Sequence, residues 1–382
     1  MDAGLPFTLE EHRQRLSRTR DEVARRGLDV VLVSIPENVY YLTGYGSLGY
    51  FAFQIVVVPR DGEPFMFMRE IEADHLLDLG LVTDVTTYTD RDDPVVVLRD
   101  ALGKRGLLGK LIGIEKDAWF FPPGRAERMH QVFGGGELRD AAGLVEGLRM
   151  LKSDQEIAYI RRAAQIADEG INAGFAAARA GVSEGEAAAA IYAALLRAGS
   201  EYVGPVYVMS GEQSALAHSG WSERRMRAGD VVYLEVAGCV RRYHAAIRRT
   251  GTIGPPSPEV AKAHRACVGA QRRVLSMLRP GVVSGDVYRA HDEALTAAGV
   301  SGYIRMRTAY SIGVSYPPGW GEWHIMDVKA GDKRPLQARL SLHSGSQIVF
   351  RKRFGMGLSD TVIVRDDEPE ILTSVDETLR EL

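Results

Sequence analysis

The side chains best suited to moving protons or holding charge gather in the second half of the chain. His218 closes the run Ser214-Ala215-Leu216-Ala217-His218, His244 follows Tyr243, and His343 sits among Leu342, Ser344 and Gly345. Imidazole titrates closest to neutral pH, so each is a candidate acid or base, although a lone histidine in an apolar run is more often a packed core residue. His343 alternates with Ser341 and Gly345, which puts the three on one strand face and lets His343 line a pocket. His244 either points to the same place or caps its strand turn. Tyr310 carries a hydroxyl able to hydrogen-bond a tetrahedral intermediate, with a buried core tyrosine as the competing reading. Glu322 follows the rigid Pro317-Pro318-Gly319-Trp320-Gly321 turn, where a carboxylate calls for a partner or a ligand. Arg307, close to Tyr310 in sequence, is the cation that a substrate carboxylate would need. Cys239 and Cys267 cannot make a zinc cluster and do not read as a disulfide framework, so a reducing, cytoplasmic setting is expected.

Composition narrows the classes. In 382 residues, 47 Lys and Arg oppose 50 Asp and Glu for a net charge of −3, and 45% of residues are hydrophobic. That balance gives no electrostatic case for nucleic acid, and Arg351-Lys352-Arg353 reads as a solvated strand end or loop. No window approaches 18 uninterrupted apolar residues, and the charged stretch from Glu10 to Arg26 is the opposite of a signal sequence. The expected partner is therefore neither nucleic acid nor membrane but a small molecule.

The elements that must position these residues are legible in the hydrophobic periodicity. A helix is expected over Leu9–Arg26, strands over Asp29–Ser34, Gln54–Pro59, Phe65–Met68 and Lys110–Ile114, and a helix over Pro123–Phe133. Together they read as one α/β domain ending near residue 150. Ser153 and Glu156 have the spacing of a capping box and open a long core helix from Asp154 to Ala178. Residues 178–199 and 278–299 match without gaps at nine of 22 positions, including Gly181 with Gly281, Gly185 with Gly285 and Gly199 with Gly299. This predicts a duplicated second domain with a site where its halves meet. Val231–Val236 and Tyr243–Ile253 are expected strands joined through Gly238–Arg241. Leu340–Phe350 and Gly357–Val364 are expected around a turn at Gly355-Met356-Gly357.

Five separated motifs occur in an order that resembles the pita-bread family of methionine aminopeptidases, prolidases and creatinase. They are Pro36-Glu37-Asn38-Val39-Tyr40-Tyr41-Leu42-Thr43-Gly44-Tyr45, Ser210-Gly211 ahead of His218, Gly229-Asp230-Val231-Val232 with Tyr243-His244, Tyr310-Ser311-Ile312-Gly313, and Gly357-Leu358-Ser359-Asp360-Thr361-Val362. The resemblance spans the chain. It implies an α/β (α+β) fold with an N-terminal creatinase-like α/β domain, residues 1–150, and a C-terminal pseudo-twofold pita-bread domain, residues 151–382. Peptidases of this family hold two metal ions with two Asp, one His and two Glu, and the matching positions here are Glu235, Ala246, Tyr310, Gly345 and Asp360. Two carboxylates cannot replace five ligands, so no metal and no other cofactor is expected. His218 matches the family's proton-handling histidine.

A narrower resemblance is to ectoine hydrolases, which open a cyclic amidine. It rests on Glu235-Val236-Ala237-Gly238-Cys239, Arg242-Tyr243-His244-Ala245, the Tyr310 and Tyr316–Glu322 segments, and His343; Asp360, Ala338-Arg339 and Ser344-Gly345-Ser346 depart from that pattern. In creatinase-like enzymes the N-terminal domain of a neighbouring subunit closes the site. That implies a homodimer and draws attention to Tyr50, Phe51, Phe53 and Arg69, for which domain core and a surface salt bridge are the plainer roles. An amidinium is planar and cationic and matches carboxylates that accept paired N–H bonds. The expected activity is thus metal-independent hydrolysis of a non-peptide C–N bond in a small amidine, cyclic amidine or guanidino compound, a cationic or zwitterionic substrate. Asp360 would fix the cation, Glu235 would hold it or attack it, and His218 would deliver the proton. A rebuilt Xaa-Pro dipeptidase and a catalytically silent binding protein are the alternatives.

Overall fold

A computed structural model describes residues 4–134, 137–300 and 306–382. The chain divides into two compact units, Met1–Arg149 and Met150–Leu382. In the first, helix α1 (Leu9–Arg25) starts where the Thr8 hydroxyl accepts from the Glu11 amide and buries Leu16, Thr19 and Val23. Strands β1 (Val30–Val33), β2 (Ile55–Pro59), β3 (Phe65–Arg69), β4 (Val85–Tyr88), β5 (Ile112–Ile114) and β6 (Leu138–Asp140) form one sheet in the order β4-β3-β2-β1-β5-β6. Helices α2 (Pro36–Thr43), α3 (Ala73–Leu77), α4 (Pro94–Lys104), α5 (Pro123–Val132) and α6 (Leu144–Arg149) complete the unit. Alternation along the strands divides the apolar residues between two cores. Val31, Val33, Val56, Val58, Met66 and Met68 enter one, and Val30, Leu32, Ile55, Val57, Phe65 and Phe67 the other. A sheet buried on both faces is why these strands read as continuous apolar runs.

The second unit opens with α7 (Asp154–Ala177), where both halves of the Ser153–Glu156 capping box form, followed by α8 (Glu184–Arg197) and β7 (Tyr207–Ser210). The hairpin β8 (Val231–Val240) and β9 (Tyr243–Thr252) follows, then α9 (Pro258–Leu275), α10 (Ser284–Ala297), β10 (Ala309–Ser311), β11 (Asp327–Val328) and a second hairpin, β12 (Ser341–Phe350) with β13 (Phe354–Ile363). The sheet order β11-β10-β12-β13-β9-β8-β7 sets the two hairpins side by side. Each half thus contributes a helix pair and a hairpin. Gly181 and Gly281 take φ of +87° and +84°, Gly199 and Gly299 +95° and +61°, so the repeated glycines do the same backbone work in both halves.

Two turns differ from the sequence reading. Gly238 lies inside β8, and the turn is Arg241-Arg242, both at positive φ. Gly238 is needed for close approach, since a Cβ there would meet the Ala163 carbonyl oxygen of α7 at 2.2 Å. Likewise Gly355 and Gly357 lie within β13, and the exposed Arg351-Lys352-Arg353 makes the turn. A Cβ on Gly355 would meet the Ser214 carbonyl oxygen at 2.2 Å. In both hairpins glycine marks backbone contact within a strand rather than chain reversal.

Candidate active site

The two-residue turn fixes the register of β8 on β9 and places Glu235 opposite Arg248. Arg248 in turn pairs with Ser359 of β13. Glu235 is 6% exposed, accepts from Arg248 Nη2 at 2.9 Å on Oε1 and accepts from the Tyr233 hydroxyl at 2.7 Å on Oε2. Burial alone would raise its pKa, but the Arg248 charge and these hydrogen bonds outweigh it and hold the carboxyl below its ordinary value. Burial likewise opposes the Arg248 charge, and Glu235 beside it more than compensates, raising the guanidinium further.

Asp360, on β13 opposite Ser344, accepts on Oδ1 from Arg249 Nη2 at 2.6 Å and from the Thr373 hydroxyl at 2.9 Å. Its Oδ2 has no hydrogen-bond partner among the described residues. The bare anionic pocket expected from Glu235 and Asp360 is therefore corrected, because each carboxylate already faces an arginine. Sequence reasoning missed Arg248 and Arg249. The signal was present: placing the turn at Arg241-Arg242 would have set Glu235 against Arg248.

The paired carboxylates bear directly on the two-metal arrangement implied by the family resemblance. Ala246 offers no ligand and its amide donates to Thr361 Oγ1 at 2.9 Å. A Cβ on Gly345 would lie 2.5 Å from Ser359 Cβ, so a longer ligand side chain has no room there without strand movement. Glu235 is committed to a guanidinium, and among the described residues no group of three or more His, Cys, Asp or Glu side chains is placed to hold a metal ion. These residues do not fit a metal pair.

Tyr310 and His343 face each other across β10 and β12. The Tyr310 hydroxyl lies 2.7 Å from His343 Nδ1 and accepts from Trp320 Nε1 at 3.0 Å, and His343 Nε2 lies 2.6 Å from Ser359 Oγ. Burial keeps the Tyr310 phenol protonated, pushing its pKa up, and holds His343 at about 4, so the line is neutral at physiological pH. Trp320 packs edge-on against Tyr207, and Tyr207 lies 5.8 Å, ring to ring, from His218. His218 is exposed and takes φ of +57°. Thus Tyr207 and Trp320, which sequence reasoning did not select, connect His218 to Tyr310.

The remaining candidates divide. Arg307 stands over the Tyr310 and Trp323 rings and lines a small recess, about 40 Å³, with Arg248, Tyr310, His343 and Ser359. Glu322 does not line this recess. It is 1% exposed and ion-paired with equally buried Lys152 at 2.6 Å, with Ser311 Oγ also donating to it, so its partner is structural. His244 is fully buried beside the Tyr202 ring, and burial together with the Arg242 charge holds its pKa at about 4. In the first unit Phe53 is a core residue packed on Phe67 and Phe121 beneath Arg125, which corrects the expectation that it binds substrate. Phe51 is 69% exposed with Tyr50 against its edge, and Arg69 pairs with Asp90.

Comparison with known proteins agrees with this architecture. Residues 15–151 match the creatinase/prolidase N-terminal domain, and residues 158–366 match metallopeptidase family M24. The ectoine hydrolase of Halomonas elongata is 27% identical, the alignment covering 97% of each chain. An uncharacterized hydrolase/peptidase of Sinorhizobium fredii, y4tL, is 29% identical over 96% of this chain and 95% of its own. Among solved structures, the dipeptidase PepE of Mycobacterium ulcerans superposes with a TM-score of 0.84 at 25% identity, covering 98% of each chain. The prolidase of Thermococcus sibiricus superposes with a TM-score of 0.87 at 23% identity, covering 97% of this chain and 99% of its own. The chain has a creatinase-type N-terminal domain and a pita-bread C-terminal domain, and it belongs to the hydrolases of metallopeptidase family M24.

Proposed function

We propose that this member of the family is a metal-independent hydrolase of a non-peptide C–N bond in a small zwitterionic amidine of the ectoine type. The observation that carries the reading is the Glu235–Arg248 pair, in which a guanidinium takes the carboxylate that a metal pair would require. The full-length similarity to an ectoine hydrolase supports the substrate class.

In this reading the amidinium is received at the Glu235 face of the sheet, and the expectation that Asp360 fixes the cation is corrected: Asp360 follows Ser359 on β13, so its side chain points to the opposite face, against Arg249 and Thr373, and does not line the recess. Both Glu235 oxygens already accept hydrogen bonds, so Glu235 acts as a fixed negative charge beside the reacting carbon rather than as the nucleophile. Water adds to the amidine carbon as it gives a proton to His218, the C–N bond breaks with its electron pair going to nitrogen, and His218 returns that proton to the departing nitrogen. The net change is addition of one water. His343, His244 and His291 are each held at about 4 by burial, and His218 is the exposed histidine beside Tyr207. The neutral Tyr310 hydroxyl is placed to steady the tetrahedral intermediate. We also propose a homodimer, to be read by light scattering.

The test is incubation with ectoine, creatine and an Xaa-Pro dipeptide, with and without chelator, followed by mass spectrometry. The expected result is a product heavier by one water from an amidine substrate, formed in chelator and lost in His218→Ala. Peptide cleavage abolished by chelator, or amidine turnover undiminished in His218→Ala, would overturn the proposal.

A further inference from the structure

The recess lined by Arg248, Arg307, Thr308, Gln347, His343 and Gly345 holds hydrogen-bonding groups that the protein leaves unused. Arg248 spends Nη2 on Glu235, but its Nε is buried without a partner, and so is Thr308 Oγ1. The Arg307 guanidinium and the Gln347 amide have no hydrogen-bond or ion-pair partner among the described residues. Buried polar groups are nearly always paired, so an unpaired one calls for a ligand or water that completes it. Two buried donors without a partner, Arg248 Nε and Thr308 Oγ1, and two half-buried ones, Arg307 and Gln347, converge on one recess and describe a site shaped for something that accepts hydrogen bonds.

Charge narrows the choice. Arg248 is answered by Glu235, while Arg307 has no carboxylate partner among the described residues, so the wall carries an uncompensated positive charge. His343 and His291 add none, because burial holds both at about 4. Gly345 contributes by what it lacks. A glutamate at this position, where the family resemblance places a metal ligand, would extend a negative charge toward the arginines, and even its Cβ would crowd Ser359.

We infer that this recess is an anion subsite, in which Arg307 and the free edge of Arg248 hold a carboxylate of the substrate and Thr308 and Gln347 complete its hydrogen bonds. A planar carboxylate suits guanidinium edges, and as an acceptor with two oxygens it satisfies all four donors. The inference deepens the zwitterionic-amidine reading, which it needs only for the identity of the cationic half of the ligand.

The subsite is probed with acetate alone. The thermal midpoint of the full chain is followed as sodium chloride is replaced by sodium acetate at fixed ionic strength, in the wild type, Arg307→Ala and Gln347→Leu. Arg307 is only partly buried, so its alanine variant is expected to fold. Acetate should raise the wild-type midpoint and lose most of that effect in Arg307→Ala; no wild-type shift, or equal shifts in both, would overturn the inference. A kinetic arm compares ectoine with the same ring lacking its carboxylate. Arg307→Ala should raise KM for ectoine about 10- to 100-fold, the worth of a charged hydrogen bond, and move KM for the carboxylate-free ring much less. An acetate shift that depends on Arg307 without ectoine turnover would sink the substrate assignment and keep the subsite. Turnover with equal ectoine KM in both proteins would do the reverse.

Discussion

Replacing Arg248 by methionine removes one partner of a buried ion pair and leaves Glu235 inside the protein with only the Tyr233 hydroxyl and the sheet around it. The side chains of Arg248 and Glu235 are 12% and 8% exposed, so solvent offers little relief. Breaking such a pair typically costs about 3–5 kcal/mol. For a unit of this size that corresponds to a fall in Tm of about 6–20 °C. The sign of the pH dependence should also change. In the wild type Glu235 is held below its ordinary value, so its contribution is present above the unfolded carboxyl pKa and is lost as pH falls through the folded one. Without Arg248, burial is left to dominate and the folded pKa moves above the unfolded value. The variant is then least handicapped when Glu235 is protonated, and it loses stability as pH rises. Calorimetry of both proteins at pH 4 and pH 8 reads this directly, with the larger difference expected at pH 8. A shift below about 2 °C, or a difference independent of pH, would show that Arg248 is not the counter-charge that keeps Glu235 ionised.

Three further outcomes follow from buried groups elsewhere. Glu115 is fully enclosed, accepts from the Ser34 and Ile35 amides and from Asn38, and burial reinforced by the Glu146 carboxyl pushes its pKa up to about 8. Because the native state keeps a proton that the unfolded chain releases near 4.5, stability should fall as pH rises from there to about 8, and Glu115→Gln should flatten that slope in urea titrations. Lys152→Met should cost about 3–5 kcal/mol in urea unfolding, because Glu322 is left charged and 1% exposed; adding Glu322→Leu should recover part of the loss. Gly238→Ala should cost at least about 1–3 kcal/mol by forcing β8 away from α7, and a neutral result would contradict the 2.2 Å approach.

What the sequence determined by itself was the set of elements and their repetition. Capping residues, apolar periodicity and paired glycines act within a few residues of chain, and so the helix opening at Asp154, the strands of the first unit and the equivalence of α8 with α10 were legible there. Motif order carried the fold, and the loss of Ala246 and Gly345 as ligands was visible in one dimension. Glycines misled at Gly238 and Gly355, because the sequence cannot say whether a missing Cβ serves a turn or the close passage of another backbone. The meaning of the surviving charges lay out of reach for the same reason. Whether Glu235 and Asp360 face solvent, a ligand or an arginine depends on which strands become neighbours, and the β13–β9 pairing joins residues more than a hundred positions apart. Only the tertiary structure turned two carboxylates into two ion pairs, tied Glu322 to Lys152, sent Phe53 into a core, and gathered unused donors around one recess. Local propensity sets each element's form, while desolvation and charge pairing are settled by long-range packing.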